Sequence, residues 1–447
     1  MAMPGQGLAL FTDLYELTML QAYLEEGLTE PAVFSLSVRR LPARRNYLLA
    51  CGIDSVTGYL QQLRFRDDDL AYLASLQLFS DRFLSWLGAF RFSGEMQAVP
   101  EGTPVFANEP ILEVSAPLPE AQLIETLVLN QVHLQTVLAS KAARVVAAAQ
   151  GRPVIDFGAR RMHGLDAALK AARAFYIGGV TATSNVMAGK LYGIPVAGTM
   201  AHSYVQAHED EAAAFRAFAR LYPQTILLVD TYDTLAGVGK VIALAQTFGK
   251  DFQVRGVRLD SGDLAQLAGA ARQLLDSAGL QRVEIFASGG LDEDAIAGLL
   301  ASGAPIDGFG VGTHMGVSSD APDLDIAYKL CEYAGEGRLK LSSGKPVLPG
   351  RKQVFRVLEG ERAVRDIIAR SDEPCPGSAL LEPVMCNGTR VSTARPLTRI
   401  RDYARAQIER LPAAVRVNTS ATPPYPVTVS AELSRFQRHV RDKVAHL

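Results

Sequence analysis

Arg255-Gly256-Val257-Arg258-Leu259-Asp260-Ser261-Gly262-Asp263 runs straight into a helix-spaced stretch over residues 264–278, which stops at Gly279. A short β-type run, a polar turn and an amphipathic helix, in that order, make half of a βαβ unit. The same order recurs on both sides. β-type runs stand at 153–157, 194–197, 225–229, 283–287 and 306–311, with Ala- and Leu-rich helical stretches such as 293–301 between them. Strand and helix alternate roughly every 25–40 residues, which predicts an α/β fold around a parallel sheet.

The polar residues have a consistent address: they follow the strand. Arg160 and Arg161, His202, Asp230 and Asp233, Asp260 and Asp263, Ser288-Gly289-Gly290 and Gly312-Thr313 all stand just past an apolar run. Residues at the carboxyl ends of parallel strands converge on one face, where barrel enzymes place their chemistry. His202, in Gly198-Thr199-Met200-Ala201-His202-Ser203, reads as an imidazole presented by a small-residue turn after the strand 194–197. Alone it would be a hydrogen-bonded structural histidine; its address makes it a candidate phosphate carrier. His163 and His314 share that address more weakly, and His208 reads as part of a solvated helix.

Each motif also has a plainer reading. Gly308-Phe309-Gly310-Val311-Gly312-Thr313 can wrap backbone N–H groups around an anion, or serve only as a tight packed turn. In Arg258 to Asp263 the carboxylates suit ribose hydroxyls or a hydrated magnesium, while Asp or Ser before Leu264 would cap a helix. Both hold at once if Ser261 caps and Asp260 binds substrate. Asp230-Thr231-Tyr232-Asp233-Thr234 on its own reads first as a cap. Arg160 and Arg161 can clamp pyrophosphate, or lie solvated at a helix start.

Composition sets the bounds. The chain has 447 residues, 48% hydrophobic and 21% charged, enough for two or three domains with ordinary globular cores. A formal charge of -2 gives no support for nucleic-acid or anionic-membrane partners. Cys51, Cys331, Cys375 and Cys386 form no C-x-x-C pair, so free thiols in a reducing, cytoplasmic setting are expected rather than zinc. Met1 to Gly5 lacks the basic start and apolar core of a signal peptide, and 174–189 is too broken by glycines and polar residues to span a membrane. Outside the rhythmic middle, 8–27 and 124–150 read as helices, and 91–118 as short strands. The text after residue 330 reads as Gly/Pro-punctuated β, 398–411 as helix and 412–428 as an irregular connector. The expected segments are 1–125, a barrel over 126–330, and 331–447.

Together these segments resemble the nicotinate phosphoribosyltransferase family. The resemblance starts at Thr12-Asp13-Leu14-Tyr15-Glu16-Leu17-Thr18-Met19 and passes through Ser140 to Arg144, Asp156 to Arg161 and Thr183 to Gly189. The His202 loop, Asp230 to Thr234, Arg258 to Asp263, Gly308 to His314 and Pro349 to Arg356 complete it. It implies an irregular, incomplete α/β (TIM-like) barrel beside a second α/β domain built from both chain ends. It also implies a homodimer with shared active sites. The implied reaction joins nicotinate to 5-phosphoribosyl pyrophosphate, giving nicotinate mononucleotide and pyrophosphate. Magnesium assists, and ATP hydrolysis is coupled, in ligase fashion, through a phosphohistidine.

The resemblance also implies roles. Tyr15 of the partner subunit and Phe157 sandwich the pyridine ring, Arg160 faces the phosphates, and His202 takes the phosphoryl group. Asp230 and Asp260 serve the ribose and its magnesium-bound pyrophosphate, while Arg258 meets the pyridine substituent. Ser288-Gly289-Gly290 and Gly310-Val311-Gly312-Thr313 hold the 5′-phosphate. Thr181 stands in the loop where nicotinamide-using relatives carry an acid, and does not repel a carboxylate. Ser288-Gly289-Gly290 departs from the Ser-Asn form found in many members. Nicotinamide and quinolinate phosphoribosyltransferases, or a silent pyridine-nucleotide sensor on the same scaffold, are the competing readings.

Overall fold

The computed structural model describes residues 7–341, 347–391, 393 and 395–445. Met1 to Gly5 therefore lie outside the described residues. The chain divides into two compact units, residues 1–140 with 321–447, and residues 141–320. The expected boundaries at 125/126 and 330/331 move accordingly. The strand Ile326–Tyr333 is bound into the first unit because it pairs antiparallel with Pro31–Val38, from Ala32↔Tyr333 to Val38↔Ile326. At the other end the division falls inside the helix Glu125–Ala148.

The second unit holds the rhythm seen in the sequence. Its strands are β1 (Val154–Asp156), β2 (Ala182–Thr183), β3 (Ile226–Leu228), β4 (Gly256–Leu259), β5 (Glu284–Ser288) and β6 (Gly308–Val311). They form one sheet in the order β2-β1-β6-β5-β4-β3, and every pair is parallel. With β6 beside β1, the sheet curls into a half-barrel. β3 and β6 are buried along their whole length, as strands covered on both faces must be. The helices Leu165–Ile177, Thr234–Phe248, Leu264–Ser277 and Glu293–Ala301 follow β1, β3, β4 and β5. Asp233, Asp263 and Asp292 cap the last three, each accepting backbone N–H groups of the first turn.

Two expectations change here. Residues 194–197 do not form a strand; only Val196 makes a parallel bridge, to Thr183. Pro195 has no N–H to give, and only Ile194 is buried while Val196 is half-exposed, so the segment does not complete a ladder. The strand that the sequence did not show is β2, only two residues long. The half-barrel is thus open between the Val196 bridge and β3.

In the first unit, Pro31–Val38 is flanked by Ile326–Tyr333 and Pro110–Pro117 in a seven-stranded antiparallel sheet, with Phe34 stacked on Tyr328 at 4.8 Å. A four-stranded sheet includes the hairpin Lys352–Glu359 and Arg362–Arg370. Its core holds Phe106 stacked on Tyr425 at 4.0 Å, beside the buried Arg356–Asp366 ion pair at 2.6 Å. Among the described residues, no helix is long and apolar enough to cross a membrane.

Candidate active site

The carboxyl ends of β3, β4 and β5 bring Asp230, Arg258, Asp260 and Ser288 into one hydrogen-bonded cluster, with His202 beside it. Arg258 leaves β4 and Ser288 ends β5; both donate to Asp260 Oδ1, at 3.1 and 2.5 Å. Arg258 also donates to Ser288 Oγ at 3.2 Å and to the Met200 carbonyl at 2.7 Å. That last bond fixes the backbone two residues before His202. His202 Nδ1 lies 3.2 Å from Thr231 Oγ1, and its Nε2 lies 3.9 Å from Asp260 Oδ2. With Nδ1 held by Thr231, Nε2 is the nitrogen turned toward the carboxylates.

Asp230 supports this arrangement from β3. Its Oδ2 accepts the Asp260 N–H at 2.9 Å and the Ser261 hydroxyl at 2.7 Å. Its Oδ1 is buried with no protein partner among the described residues. Ser261 therefore serves Asp230 and is not the helix cap; Asp263 caps the helix instead, accepting Gln266 N–H at 3.1 Å. Arg258 Nε is likewise buried without an acceptor among the described residues. Burial pulls the Arg258 guanidinium below the usual arginine range, Asp260 and Asp230 push it back up, and Arg160 lowers it again. It remains a cation at neutral pH.

The aromatic wall comes from β1. The Arg258 guanidinium carbon sits 5.8 Å from the centroid of Phe157. Phe157 is presented by a turn that Asp156 organises: Oδ1 accepts Gly158 N–H at 2.8 Å, and Oδ2 accepts the Thr183 hydroxyl at 2.7 Å. Burial raises the Asp156 carboxyl, while those two donors stabilise its ionised form. Gly310 has to be glycine, since a Cβ there would stand 2.3 Å from the Phe157 ring. Gly289, at φ +91°, is constrained twice, because a Cβ would stand 1.9 Å from the Asp260 carbonyl oxygen. Gly290 follows it, Gly312 packs against the Phe157 backbone, and Thr313 Oγ1 accepts from Arg161 at 2.9 Å. Arg160 lies exposed in the short 3-10 turn Ala159–Arg161.

Three residues stand apart from the expected set. Thr181 is at the amino edge of β2, its N–H bonded to the Val154 carbonyl at 2.8 Å, and so lies outside the carboxyl-end cluster. The strand's exit residue is Ser184, whose N–H bonds to Asp156 O at 2.8 Å. Tyr15 belongs to the first unit, on the opening turn of the helix Leu14–Glu25, with its ring about half-exposed. His208 bonds to the Tyr204 carbonyl at 2.8 Å and packs on the Tyr204 ring rather than standing on a solvated helix. Thr231, Thr183 and Asp156 are structural partners that residue type alone did not single out.

Among the described residues no three His, Cys, Asp or Glu side chains gather as a metal cage. The unpartnered Asp230 Oδ1 beside Asp260 instead suits a cation that takes one or two carboxylates and completes its shell with substrate oxygens, as magnesium does.

A parallel half-barrel with an imidazole, two carboxylates, a part-buried arginine and glycine turns at its strand exits defines an α/β enzyme of the strand-end class. Models of the nicotinate phosphoribosyltransferase family match residues 10–133 (N-terminal domain), 153–367 and 377–437 (C-terminal domain). Nicotinate phosphoribosyltransferase pncB2 of Mycobacterium tuberculosis is 57% identical over 443 residues, 98% of this chain and 96% of that protein. The Bacillus subtilis nicotinate phosphoribosyltransferase is 44% identical over 376 residues, 82% of this chain and 77% of its own length. The crystal structure of human nicotinic acid phosphoribosyltransferase is similar with a TM-score of 0.86 at 29% identity, over 96% of this chain and 99% of that one. The chain belongs to the nicotinate phosphoribosyltransferase family.

Proposed function

We propose that this chain forms nicotinate mononucleotide and pyrophosphate from nicotinate and 5-phosphoribosyl pyrophosphate, in NAD biosynthesis, with ATP hydrolysis coupled through His202. The observation that carries the substrate reading is Arg258. It is a largely covered cation beside an aromatic ring, and its buried Nε–H has no protein acceptor among the described residues. A pyridine ring on Phe157 with its carboxylate on Arg258 answers both features. An uncharged carboxamide could accept that Nε–H, but without the added strength of a charge-assisted bond.

Departure of pyrophosphate leaves positive charge on the ribose. Asp230 and Asp260 supply negative potential for that charge, and Arg160 serves the departing anion. Magnesium, held by Asp230 and Asp260 with pyrophosphate oxygens, would neutralise the leaving group. Fixing the ring nitrogen in line with the anomeric carbon contributes up to about 7–11 kcal/mol in ideal cases. In the coupling step His202 Nε2 attacks the γ-phosphorus of ATP, the bond to the bridging oxygen breaks, and ADP leaves. Water later releases inorganic phosphate and restores the imidazole. On this reading the half-barrel is an incomplete TIM-like barrel, and the unit made from both chain ends is the second domain. The enzyme is then a cytoplasmic homodimer in which Tyr15 enters the partner's site.

The test is a product assay with phosphoribosyl pyrophosphate and each of nicotinate, nicotinamide and quinolinate, with and without ATP. Nicotinate mononucleotide formed preferentially from nicotinate rather than from quinolinate, and faster with ATP, is the expected result. Binding of pyridine nucleotide with no turnover of any of the three bases would identify a sensor instead.

A further inference from the structure

Lys141, on the helix Glu125–Ala148, is 1% exposed and reaches two carboxylates. Its Nζ lies 2.5 Å from Glu293 Oε2 and 2.8 Å from Asp320 Oδ1. Arg144 gives its Nε to the other Glu293 oxygen at 2.8 Å. Two cations and two anions balance, and none of them belongs to the cluster around His202.

What the network joins is specific. Glu293 opens the helix Glu293–Ala301, three residues after Gly290. Asp320 follows the one-turn helix Thr313–Gly316. One ammonium therefore ties the loop leaving β5 to the loop leaving β6. The ladder between those strands ends at Ser288↔Gly310, so past that pair strand pairing no longer fixes their separation. Apolar packing could hold the same elements together. An ion pair to each loop also fixes direction, at the cost of burying charge.

We propose that Lys141 is a positioning residue that sets the spacing of the Gly289–Gly290 and Gly312–Thr313 loops, and through it the affinity for the phosphate of phosphoribosyl pyrophosphate. The proposal rests on the reading of these loops as phosphate-binding. Lys141 itself touches no substrate.

The experiment compares Lys141→Met, Lys141→Arg and Asp320→Asn with the parent in kcat, in KM for each substrate, in inhibition by inorganic phosphate, and in thermal unfolding. Lys141→Met is expected to raise KM for phosphoribosyl pyrophosphate about 10-fold or more, and to weaken phosphate inhibition in parallel, with the nicotinate KM within about twofold. Asp320→Asn shifts the same two quantities by a smaller factor, and Lys141→Arg recovers part of the loss. Asp320 is at the edge of the network, 29% exposed, so its variant decides the matter if Lys141→Met does not fold. Folded variants that melt earlier but keep the parent's KM for phosphoribosyl pyrophosphate would reduce the network to structural support and overturn the proposal. A parent that never saturates with phosphoribosyl pyrophosphate would overturn the functional reading itself, and this one with it.

Discussion

Arg258 touches Asp260, Ser288 and the Met200 carbonyl, and still leaves Nε for a ligand. Replacing it with Gln keeps one amide donor and removes the charge. A charge-assisted bond is worth about 1.5–3 kcal/mol, so kcat/KM for nicotinate should fall roughly 10- to 100-fold or more. The preference for acid over amide should shrink with it, as competition between nicotinate and nicotinamide would show; an unchanged preference would remove Arg258 from substrate choice. His202→Ala should lose the acid-labile, base-stable label taken from γ-labelled ATP. It should keep slow ATP-independent synthesis, because Arg258, Asp260 and the glycine turns remain to orient substrates. Normal ATP coupling in a folded His202→Ala protein would exclude a phosphohistidine there. The addresses of Asp230 and Asp260 were legible because each follows an apolar run that is a strand, whereas Arg258 lies within its strand and the run before His202 is not one. Thr231 was not legible, since a threonine becomes a partner for an imidazole only when the His202 segment meets the exit of the strand Ile226–Leu228 in space. Thr181 was named from the resemblance alone; a two-residue strand separates it from the exit at Ser184, and so short a run leaves no periodic signal to show which side it is on.

The glycine turns allow the two halves of the site to be perturbed separately. Gly289→Ala meets the Asp260 carbonyl and a left-handed backbone, and should cost about 2 kcal/mol or more of stability while raising KM for phosphoribosyl pyrophosphate. Gly310→Ala presses on the Phe157 ring and should raise chiefly the nicotinate KM. Steady-state kinetics on both variants checks the division; parallel rises in both constants would contradict it. The helix Leu14–Glu25 carries a different sensitivity. Burial lifts the Glu16 carboxyl to about 7, Glu125 and Asp13 add to the shift, and hydrogen bonds from Tyr15 and Gln122 oppose it. A carboxyl raised on folding favours the folded state while protonated, so its contribution is full below about pH 4.5 and is lost as pH rises through 7. Glu16→Gln should leave stability at pH 4 unchanged and gain about 1–3 kcal/mol at pH 8, as read by denaturant titration across that range. Elements with long periods, such as Glu125–Ala148 and Leu264–Ser277, could be seen in the sequence. The helices Asp67–Ser75 and Asp81–Ala89 could not, being only nine residues each, with two and two buried positions respectively.

For the whole molecule, the shared-site reading makes activity a property of the pair. Tyr15→Ala and His202→Ala lie in different units of the chain. Mixed after dissociation and reassociation, the two impaired preparations should regain part of the parent's ATP-stimulated turnover, since some hybrid sites receive Tyr15 from one chain and His202 from the other. Full activity from a preparation shown to be monomeric by sedimentation would refute the shared site. The opening in the half-barrel has its own consequence. Beyond the Val196 bridge and the Ala197 N–H bond to Thr183, the chain climbs to His202 without a strand partner before the Ile226–Leu228 strand resumes the sheet. In deuterated solvent, amides 198–203 should therefore exchange by local opening, well ahead of those in Gly256–Leu259 and Glu284–Ser288, which are released only when the sheet itself comes apart.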